Sequence, residues 1–379
     1  MIIGISGYVG NKLTGIGRVL LNVLINLAEK NPLDTFVVFE NKDFDAFSVT
    51  FQHTPNVKIV KTSVSKESAI GNILWHQHSY QRLLEKYKCE VSFIPNFSLL
   101  LWKNIPTVVI IHDMIEFHVP GKFSPLRMLY RKFSVPRMAR KADFIITVSE
   151  SSKRDIVKFC KVPAGKIKVV LNGVDVKRFR RYESSEVTRV LGQYGLAGTD
   201  FLLFVGTIDY PGKNIKVLIE AFFNLKAKYK IAEKLVVVGK NGHNSKVIYD
   251  FVKSSPFQSD VIFTGFLSDE DLPLLYNGAR VFLYLSLYEG FGLPVLEAMA
   301  CGTPVICPDT SSFPEIVNGL NVAVNPIDVE AIELKMFELM NDSELRNHIG
   351  NAGYDKSKKY RWELAADEYM SVFKWFIKN

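Results

Sequence analysis

The sequence lacks an apolar run long enough to cross a membrane. A spanning helix needs about 20 consecutive apolar residues, whereas runs such as TVVIIH and VFLYLSL have the length of β-strands. The four cysteines (Cys89, Cys160, Cys301 and Cys307) have neither metal-ligand nor disulfide spacing. The first residues, MIIGISGYVG, have no basic n-region and predict a strand rather than a signal peptide. Together these absences predict a reduced, cytoplasmic globular protein.

The positive charge is concentrated in the N-terminal half. The net charge is +8, but residues 1–180 carry 27 Lys and Arg against 14 Asp and Glu, and residues 181–379 carry 20 against 25. Residues 122–141 contain seven basic residues, no acidic one and several interleaved apolar ones, and Ser124-Pro125 is a typical helix start. Two interpretations stay open: a helix on an anionic membrane surface, or a solvated basic face above an ordinary core face. We expect Pro136 to interrupt a long helix here.

Short apolar runs alternate with helical patterns, which predicts parallel sheets with crossover helices. The predicted strands are Ile2–Ile5, Phe36–Phe39, Val57–Val60, Val91–Ile94, Val108–Ile111, Phe144–Val148, Lys168–Leu171, Phe201–Val205, Lys234–Val238, Val261–Thr264, Val281–Leu285, Pro304–Cys307 and Asn321–Val324. A less regular charged stretch, Asp175–Val187, separates the first seven strands from the last six. We therefore predict an α/β protein with two Rossmann-like domains, at residues 1–178 and 187–360.

The segment Tyr288–Pro304 contains two carboxylates eight residues apart, with a glycine-rich loop and a helix start between them. Pro294 fits the first helical position, where its missing N–H costs nothing. Glu289 is then predicted in the loop and Glu297 in the first helical turn. The loop amides and the helix N-terminus favour an anion such as a diphosphate, and the carboxylates can accept hydrogen bonds from sugar hydroxyls. A nucleotide-sugar would satisfy both. The alternative is that Glu297 is only a carboxylate favoured by the helix dipole.

The string EGFGLPVLEAMACGTPV resembles the signature of the retaining nucleotide-sugar glycosyltransferases of family 4. The resemblance spans nearly the full chain. It implies a GT-B fold, in which the two Rossmann-like domains face each other across an interdomain cleft. It also implies that the aromatic-rich helix 361–379 packs back on the N-terminal domain. In this family the C-terminal domain holds the nucleotide-sugar, and the N-terminal domain receives the acceptor.

The resemblance also implies roles for individual residues. Glu289 would bind sugar hydroxyls and orient the ring, Lys213 would stabilise the leaving diphosphate, and His112 would line the sugar. Glu297 would bind the ribose hydroxyls. The other implied donor-binding residues are Gly15, Gly17, Gly206, Thr207, Gly265, Phe266, Leu267, Gly290, Phe291, Gly292 and Leu293. Of these, Gly265, Phe266 and Leu267 would cradle the nucleotide base through their backbone.

The phosphate loop, GTIDYPGKN, departs from the family pattern. Many members have an arginine after the first glycine or immediately before the lysine, where this chain has Thr207 and Gly212. The second cationic contact to the phosphates is therefore either missing or supplied by another residue.

The resemblance implies retaining transfer of a hexose from a nucleotide-diphosphate sugar to a lipid-linked or glycan acceptor in bacterial surface polysaccharide (lipopolysaccharide O-antigen or capsule) biosynthesis. GDP-mannose is the first expectation for the donor, ahead of UDP- and dTDP-sugars. No acidic metal motif is present, so no cofactor or essential metal is expected. We expect a cytoplasmic protein, peripheral at the inner face of the plasma membrane. The alternatives are a catalytically impaired GT-B binding protein and a sugar-nucleotide epimerase. Nucleic-acid binding by the basic half lacks a recognition motif.

Overall fold

The structure, a computed structural model, describes residues 1–8, 15–62, 69–96 and 98–378. The chain divides into two compact units. The first unit consists of Met1–Met114, Leu126–Gly173 and Arg361–Asn379, and the second consists of Ile115–Pro125 and Val174–Tyr360. Each unit is built on one parallel sheet, as the alternation of apolar runs with helical patterns predicts.

The first unit contains a seven-stranded sheet. Its strands are β1 (Ile2–Ser6), β2 (Thr35–Asn41), β3 (Val57–Thr62), β4 (Val91–Ile94), β5 (Thr107–Ile110), β6 (Phe144–Thr147) and β7 (Ile167–Val169). Their order is β3-β2-β1-β4-β5-β6-β7, and Ile3 in β1 lies between Phe36 and Val91. The direction of strand addition reverses between β1 and β4. Open α/β sheets bind ligands outside the carboxyl ends of their strands at such a reversal.

Helices lie between these strands and cover the sheet. They are α1 (Gly15–Lys30), α2 (Ala46–Thr50), α3 (Ala69–Leu74), α4 (Tyr80–Lys86), α5 (Pro125–Lys141) and α6 (Glu150–Asp155). Short π-helical turns, Trp75–Ser79 and Ile156–Cys160, follow α3 and α6. All residues of β4 and β5 are buried, as expected for parallel strands with both faces covered.

The second unit contains a six-stranded parallel sheet. Its strands are β8 (Phe201–Val205), β9 (Lys234–Val238), β10 (Val261–Gly265), β11 (Val281–Leu283), β12 (Val305–Pro308) and β13 (Ala323–Val324). Their order is β10-β9-β8-β11-β12-β13, so the reversal lies between β8 and β11. The thirteen strands of the two sheets match the thirteen predicted ones, with boundaries that differ by no more than two residues.

The second unit also has helices before, between and after its strands. They are α7 (Ser184–Gln193), α8 (Ile215–Tyr229), α9 (Ser245–Lys253), α10 (Leu272–Gly278), α11 (Leu293–Ala300), α12 (Phe313–Val317), α13 (Val329–Asn341) and α14 (Ser343–Ser357). The last helix, α15 (Trp362–Lys378), returns to the first unit and packs against α1. There Lys30 forms an ion pair with Asp367, and the ring of Phe373 lies 5.2 Å from the ring of Phe93.

The segment Ile115–Pro125 belongs to the second unit, although the sequence analysis included it in residues 1–178. Two contacts account for this. The Lys122 Nζ lies 2.7 Å from the Asp209 Oδ2, and the His118 ring stacks on the Tyr288 ring with centroids 4.3 Å apart. Both partners are distant in sequence, so the pattern of the chain could not reveal this assignment.

Helix α5 continues through Pro136, so the expectation that this residue interrupts the helix is wrong. Pro136 is buried, and its packing offsets the one backbone hydrogen bond that its ring removes. On the same helix Leu126, Leu129 and Phe133 are 83%, 68% and 49% exposed. These positions recur at helical spacing and form one exposed apolar stripe. No helix among the described residues has the length and apolar character to cross a membrane.

Candidate functional site

The loops after β8 and β11, which flank the reversal of the second sheet, meet at an ion pair. Lys213 lies in the loop after β8 and Glu289 in the loop after β11, 76 residues later. The Lys213 Nζ donates a hydrogen bond to the Glu289 Oε1. The side chains are 18% and 21% exposed. The structure therefore brings together two of the three predicted catalytic residues at the place where such sheets bind ligands.

Two further residues hold this carboxylate. The Glu289 Oε1 also accepts hydrogen bonds from the Tyr284 hydroxyl at 3.0 Å and from the Ser286 Oγ at 2.8 Å. The Tyr284 oxygen in turn accepts a hydrogen bond from the Lys213 Nζ at 2.7 Å. The sequence analysis did not identify Tyr284 or Ser286. The alternating polar residues at the end of the apolar run VFLYLSL were the pattern that could have found them.

Burial and pairing fix the charges of this cluster. Burial raises the pKa of the Glu289 carboxyl, but Lys213 and the hydroxyl donors outweigh it, so the net pKa lies below its usual value. Burial lowers the pKa of Lys213, but Glu289 outweighs it, so that pKa is raised. Burial raises the pKa of the Tyr284 hydroxyl. At neutral pH the site therefore holds a carboxylate, an ammonium and a neutral phenol.

The loop from Glu289 to Gly292 is fixed by two serines. The Glu289 N–H donates to the Ser311 Oγ at 3.1 Å, and the Ser312 Oγ lies 2.6 Å from the Phe291 carbonyl oxygen. Gly292 has φ of 116°, and a Cβ there would lie 3.0 Å from the Phe313 ring. Only glycine fits this conformation and space. Gly290 and Phe291 are buried within the same loop.

Helix α11 starts at Leu293, directly after this loop. Its first N–H groups have no intrahelical acceptor and favour an anion. Glu297 is the fifth residue of the helix, so its prediction in the first turn is wrong. The dipole effect falls off within the first turn, which weakens the view that Glu297 only stabilises the helix. The Tyr276 hydroxyl, which the sequence analysis missed, lies 3.1 Å from the Glu297 Oε2.

The remaining predicted donor-binding residues of the second unit lie at strand ends. Gly206 and Thr207 follow β8, and the Gly206 N–H donates to the Val238 carbonyl oxygen at 2.9 Å. Gly265 ends β10. Phe266 is 73% exposed, whereas Leu267 is buried at 4%. The buried Leu267 side chain is therefore not available to a base, and the backbone contact stays a prediction.

In the first unit, His112 follows β5 and is buried. Its Nε2 lies 3.1 Å from the Pro95 carbonyl oxygen. A carbonyl only accepts hydrogen bonds, so Nε2 carries the proton and Nδ1 is an acceptor. Burial lowers the pKa of His112 below its usual value. The side chain is therefore a neutral hydrogen-bond acceptor at physiological pH.

Gly15 and Gly17, which the resemblance assigns to the donor, lie in a helix. Helix α1 spans Gly15–Lys30 and contains both glycines. Residues 9–14, directly before it, lie outside the described residues. The donor-binding role of the two glycines stays a prediction.

Comparison with known proteins identifies the family. The family described as Glycosyl transferases group 1 matches residues 193–356, and Glycosyltransferase Family 4 matches residues 13–178. O-antigen chain mannosyltransferase B of Escherichia coli is 30% identical over 377 residues, with 96% of each chain covered. The chain belongs to the family 4 glycosyltransferases. This family 4 glycosyltransferase is a hexosyltransferase, as the sequence analysis predicted.

A second relative and a solved structure agree. O-antigen chain mannosyltransferase RfbU of Salmonella typhimurium is 25% identical, with 95% of this chain and 97% of that protein covered. HepE of Anabaena, solved in complex with UDP and glucose, superimposes with a TM-score of 0.77 at 17% identity, with 99% of each chain covered. The predicted GT-B fold is thereby confirmed for this family 4 glycosyltransferase.

Metal independence stays a prediction. Among the described residues, no three His, Cys, Asp or Glu side chains are grouped so that they could hold a metal ion.

Proposed function

We propose that the enzyme transfers mannose from GDP-mannose, with retention of configuration, to a lipid-linked or glycan acceptor in O-antigen or capsule biosynthesis. The observation that carries the proposal is the Lys213–Glu289 pair beside the N-terminus of α11. In this pair Lys213 is a cation that can bind phosphate, and Glu289 is a carboxylate that can accept hydrogen bonds from sugar hydroxyls. The relatives named as O-antigen mannosyltransferases favour mannose and this pathway.

In the proposed reaction the acceptor hydroxyl attacks C1 of the donor sugar from the face of the leaving group. The bond between C1 and the diphosphate oxygen breaks, and its electron pair remains on the diphosphate. The proton of the acceptor hydroxyl passes to that leaving oxygen. Lys213 and the amides of Phe291, Gly292 and Leu293 stabilise the developing negative charge, which is commonly the largest catalytic contribution.

Glu289 is assigned to sugar positioning rather than nucleophilic attack. Its Oε1 already accepts three hydrogen bonds, from Lys213, Tyr284 and Ser286. These donors lower its pKa and with it the nucleophilicity of that oxygen. We assign the ribose hydroxyls to Glu297, the base to the backbone of 265–267, and a sugar hydroxyl to the unprotonated Nδ1 of His112.

We further propose that α5 places the enzyme on an anionic membrane surface, where a lipid-linked acceptor would lie. The exposed Leu126, Leu129 and Phe133 form an apolar stripe, and α5 carries six basic residues and no acidic one. An apolar stripe with flanking basic residues is the pattern of interfacial helices. The occupant that matches both features is an anionic phospholipid surface at the cytoplasmic side.

Calorimetric titration of the purified enzyme with GDP, UDP and dTDP tests the donor assignment. We expect GDP to bind, Lys213→Ala and Glu297→Ala to weaken it, and chelation of divalent metal ions to leave it unchanged. Lys246→Ala, which removes an exposed lysine paired with Asp250, is the control. Tighter binding of UDP or dTDP would replace GDP as the donor nucleotide. Binding of none would contradict the proposed site.

A further inference from the structure

We propose that Lys122 supplies the second cation for the donor diphosphate. Its ammonium would occupy the space that a side chain at position 212 would otherwise fill. The inference rests on the proposed function of the neighbouring Lys213 and specifies how the phosphate site is completed. Lys122 comes from the segment Ile115–Pro125, outside every motif that the sequence analysis assigned to the donor.

One carboxylate links Lys122 to the phosphate loop. The Lys122 Nζ lies 2.7 Å from the Asp209 Oδ2, and the two side chains are only 15% and 5% exposed. The other oxygen, Asp209 Oδ1, accepts a hydrogen bond from the backbone N–H of Lys213 at 3.1 Å. Asp209 therefore holds the Lys122 ammonium beside the residue that carries the first cation.

Gly212 shows that Lys122 occupies side-chain space in this loop. A Cβ at position 212 would lie 2.6 Å from both the Cδ and the Nζ of Lys122, closer than real side chains approach. Gly212 is not among the glycines with positive φ, so its backbone conformation would accept another residue. Glycine is required at position 212 because a side chain there would collide with Lys122. A side chain at 212 and the Lys122 ammonium are thus alternatives for one place next to Lys213.

The Lys122 ammonium has N–H groups that its hydrogen bond to Asp209 does not use. An ammonium carries three N–H groups, and Asp209 is the one acceptor that the Lys122 Nζ contacts among the described residues. Two N–H groups can therefore donate to phosphate oxygens while the aspartate pair persists. The stacking of His118 on Tyr288 anchors the same segment beside Glu289. The segment is held at both loops that form the predicted phosphate and sugar contacts.

The first test compares Lys122→Gln with Asp209→Asn in calorimetric titrations with GDP, UDP and dTDP. Glutamine can still hydrogen-bond Asp209 but has no charge, so we expect about 10- to 100-fold weaker binding of the preferred nucleotide. Asp209→Asn keeps an acceptor for the Lys213 N–H and releases the Lys122 charge. We expect it to bind the nucleotide as tightly as wild type or more tightly. Equal weakening by both variants would mean that the pair only maintains the fold of the loop, and would overturn the inference.

The second test moves the cation. A Lys122→Ala background removes the two atoms nearest to a Cβ at position 212 and leaves the Asp209 Oδ1, 2.9 Å away, which must shift slightly. The arginine can pair with Asp209 in place of Lys122, so Gly212→Arg should restore nucleotide binding to within about threefold of wild type. The same Gly212→Arg change alone should weaken binding, because the arginine collides with Lys122. Failure of the double variant to regain any affinity, with its thermal unfolding unchanged from Lys122→Ala, would contradict the shared space.

Lys226→Ala is the matched control, because Lys226 is 7% exposed and lies 3.1 Å from Asp260 in the same unit. It should lose stability without a specific loss of nucleotide affinity. Normal binding by Lys122→Gln together with loss by Lys213→Ala would overturn this inference and leave the proposed function standing. No nucleotide binding by the wild-type enzyme would overturn both.

Discussion

The two sheets reverse their strand order in the same way, but the described residues at or next to the two reversals differ in charge. In the second unit, the loop after β8 carries Lys213 and Asp209, which pair with Glu289 in the loop after β11 and with Lys122 in Ile115–Pro125. In the first unit, His112 follows β5, the strand next to β4, and burial keeps it neutral. The comparison teaches that the backbone topology determines where a ligand can bind, whereas side chains from distant segments decide which charge the ligand carries.

The net charges of the two halves of the chain show the opposite distribution from these local charged residues. The N-terminal half is basic, with 27 Lys and Arg against 14 Asp and Glu, and the C-terminal half is slightly acidic. Net charge is a long-range property that concerns surfaces and partners. The local pairs of the second unit would have been missed by charge counting, because each pair sums to zero.

The largest effect is expected from breaking the charged cluster. Glu289→Gln retains the shape of the side chain but removes the charge that balances Lys213. We expect turnover to fall about 10³-fold, which corresponds to about 4 kcal/mol of transition-state stabilisation. Initial-rate measurements with the donor identified by calorimetry check this. Thermal unfolding of the same variant shows whether the fold persists.

The pH dependence of that effect is a second check on the cluster. The folded pKa of Glu289 lies below its usual value, which is about 4.3, so the carboxylate stays ionised above pH 5. The ratio of wild-type to Glu289→Gln turnover should therefore be constant from pH 5 to 8. A ratio that rises through a titration in this range would mean that Glu289 exchanges a proton during the reaction.

A smaller effect is expected from the neutral residue of the first unit. His112→Gln removes the imidazole but can still hydrogen-bond, so we expect turnover to fall about 10-fold. Burial disfavours the protonated imidazole, so its folded pKa is below the unfolded value of about 6.5. The stability that this residue contributes is present above pH 6.5 and is lost as the pH falls below it.

Thermal unfolding midpoints at pH 5 and pH 8 test this sign. Wild type should lose more stability between pH 8 and pH 5 than His112→Gln does. His53→Gln, at an exposed position of the first unit, is the matched control for replacing a histidine. A wild-type protein that gains stability toward pH 5 relative to His112→Gln would show that the folded state binds the proton, contrary to the neutral assignment.

The smallest effect on catalysis is expected from the exposed stripe of α5. Replacing Leu126, Leu129 and Phe133 with serine should weaken sedimentation with anionic phospholipid vesicles about 10-fold and leave nucleotide binding unchanged. The control variant Leu33→Ser/Val49→Ser removes two exposed apolar side chains elsewhere in the first unit. Equal vesicle binding by wild type and the triple variant, or none by either, would contradict the proposed membrane contact.

The strands and the motif around Glu289 were predictable because both are local. Alternating apolar runs mark the strands, and the glycine-rich loop with Pro294 marks the start of α11 to within one residue. The partners of the site residues were not predictable. Asp209 and Lys122 are 87 residues apart, and Tyr276 and Glu297 are 21 apart. No periodicity connects such positions, since only the folded sheet brings them together.

Local rules also failed where tertiary packing overrides them. Pro136 should end a helix by its own chemistry, yet burial of α5 carries the helix to Lys141. Gly15 and Gly17 are poor helix formers, yet both lie in α1. In both places the favourable burial of a helix face outweighs about 1 to 3 kcal/mol of unfavourable local preference.

The path of the chain between the two units has a consequence for recombining this enzyme with its relatives. The chain leaves the first unit after Met114, returns at Leu126, leaves again after Gly173 and returns at Arg361. A chimera joined once, in the irregular stretch after residue 175, would inherit the Lys122 segment from one parent and its Asp209 partner from the other. It would likewise separate α15 from α1. Exchange of donor preference by grafting therefore requires two fragments from the same parent, Ile115–Pro125 and Val174–Tyr360, transferred together.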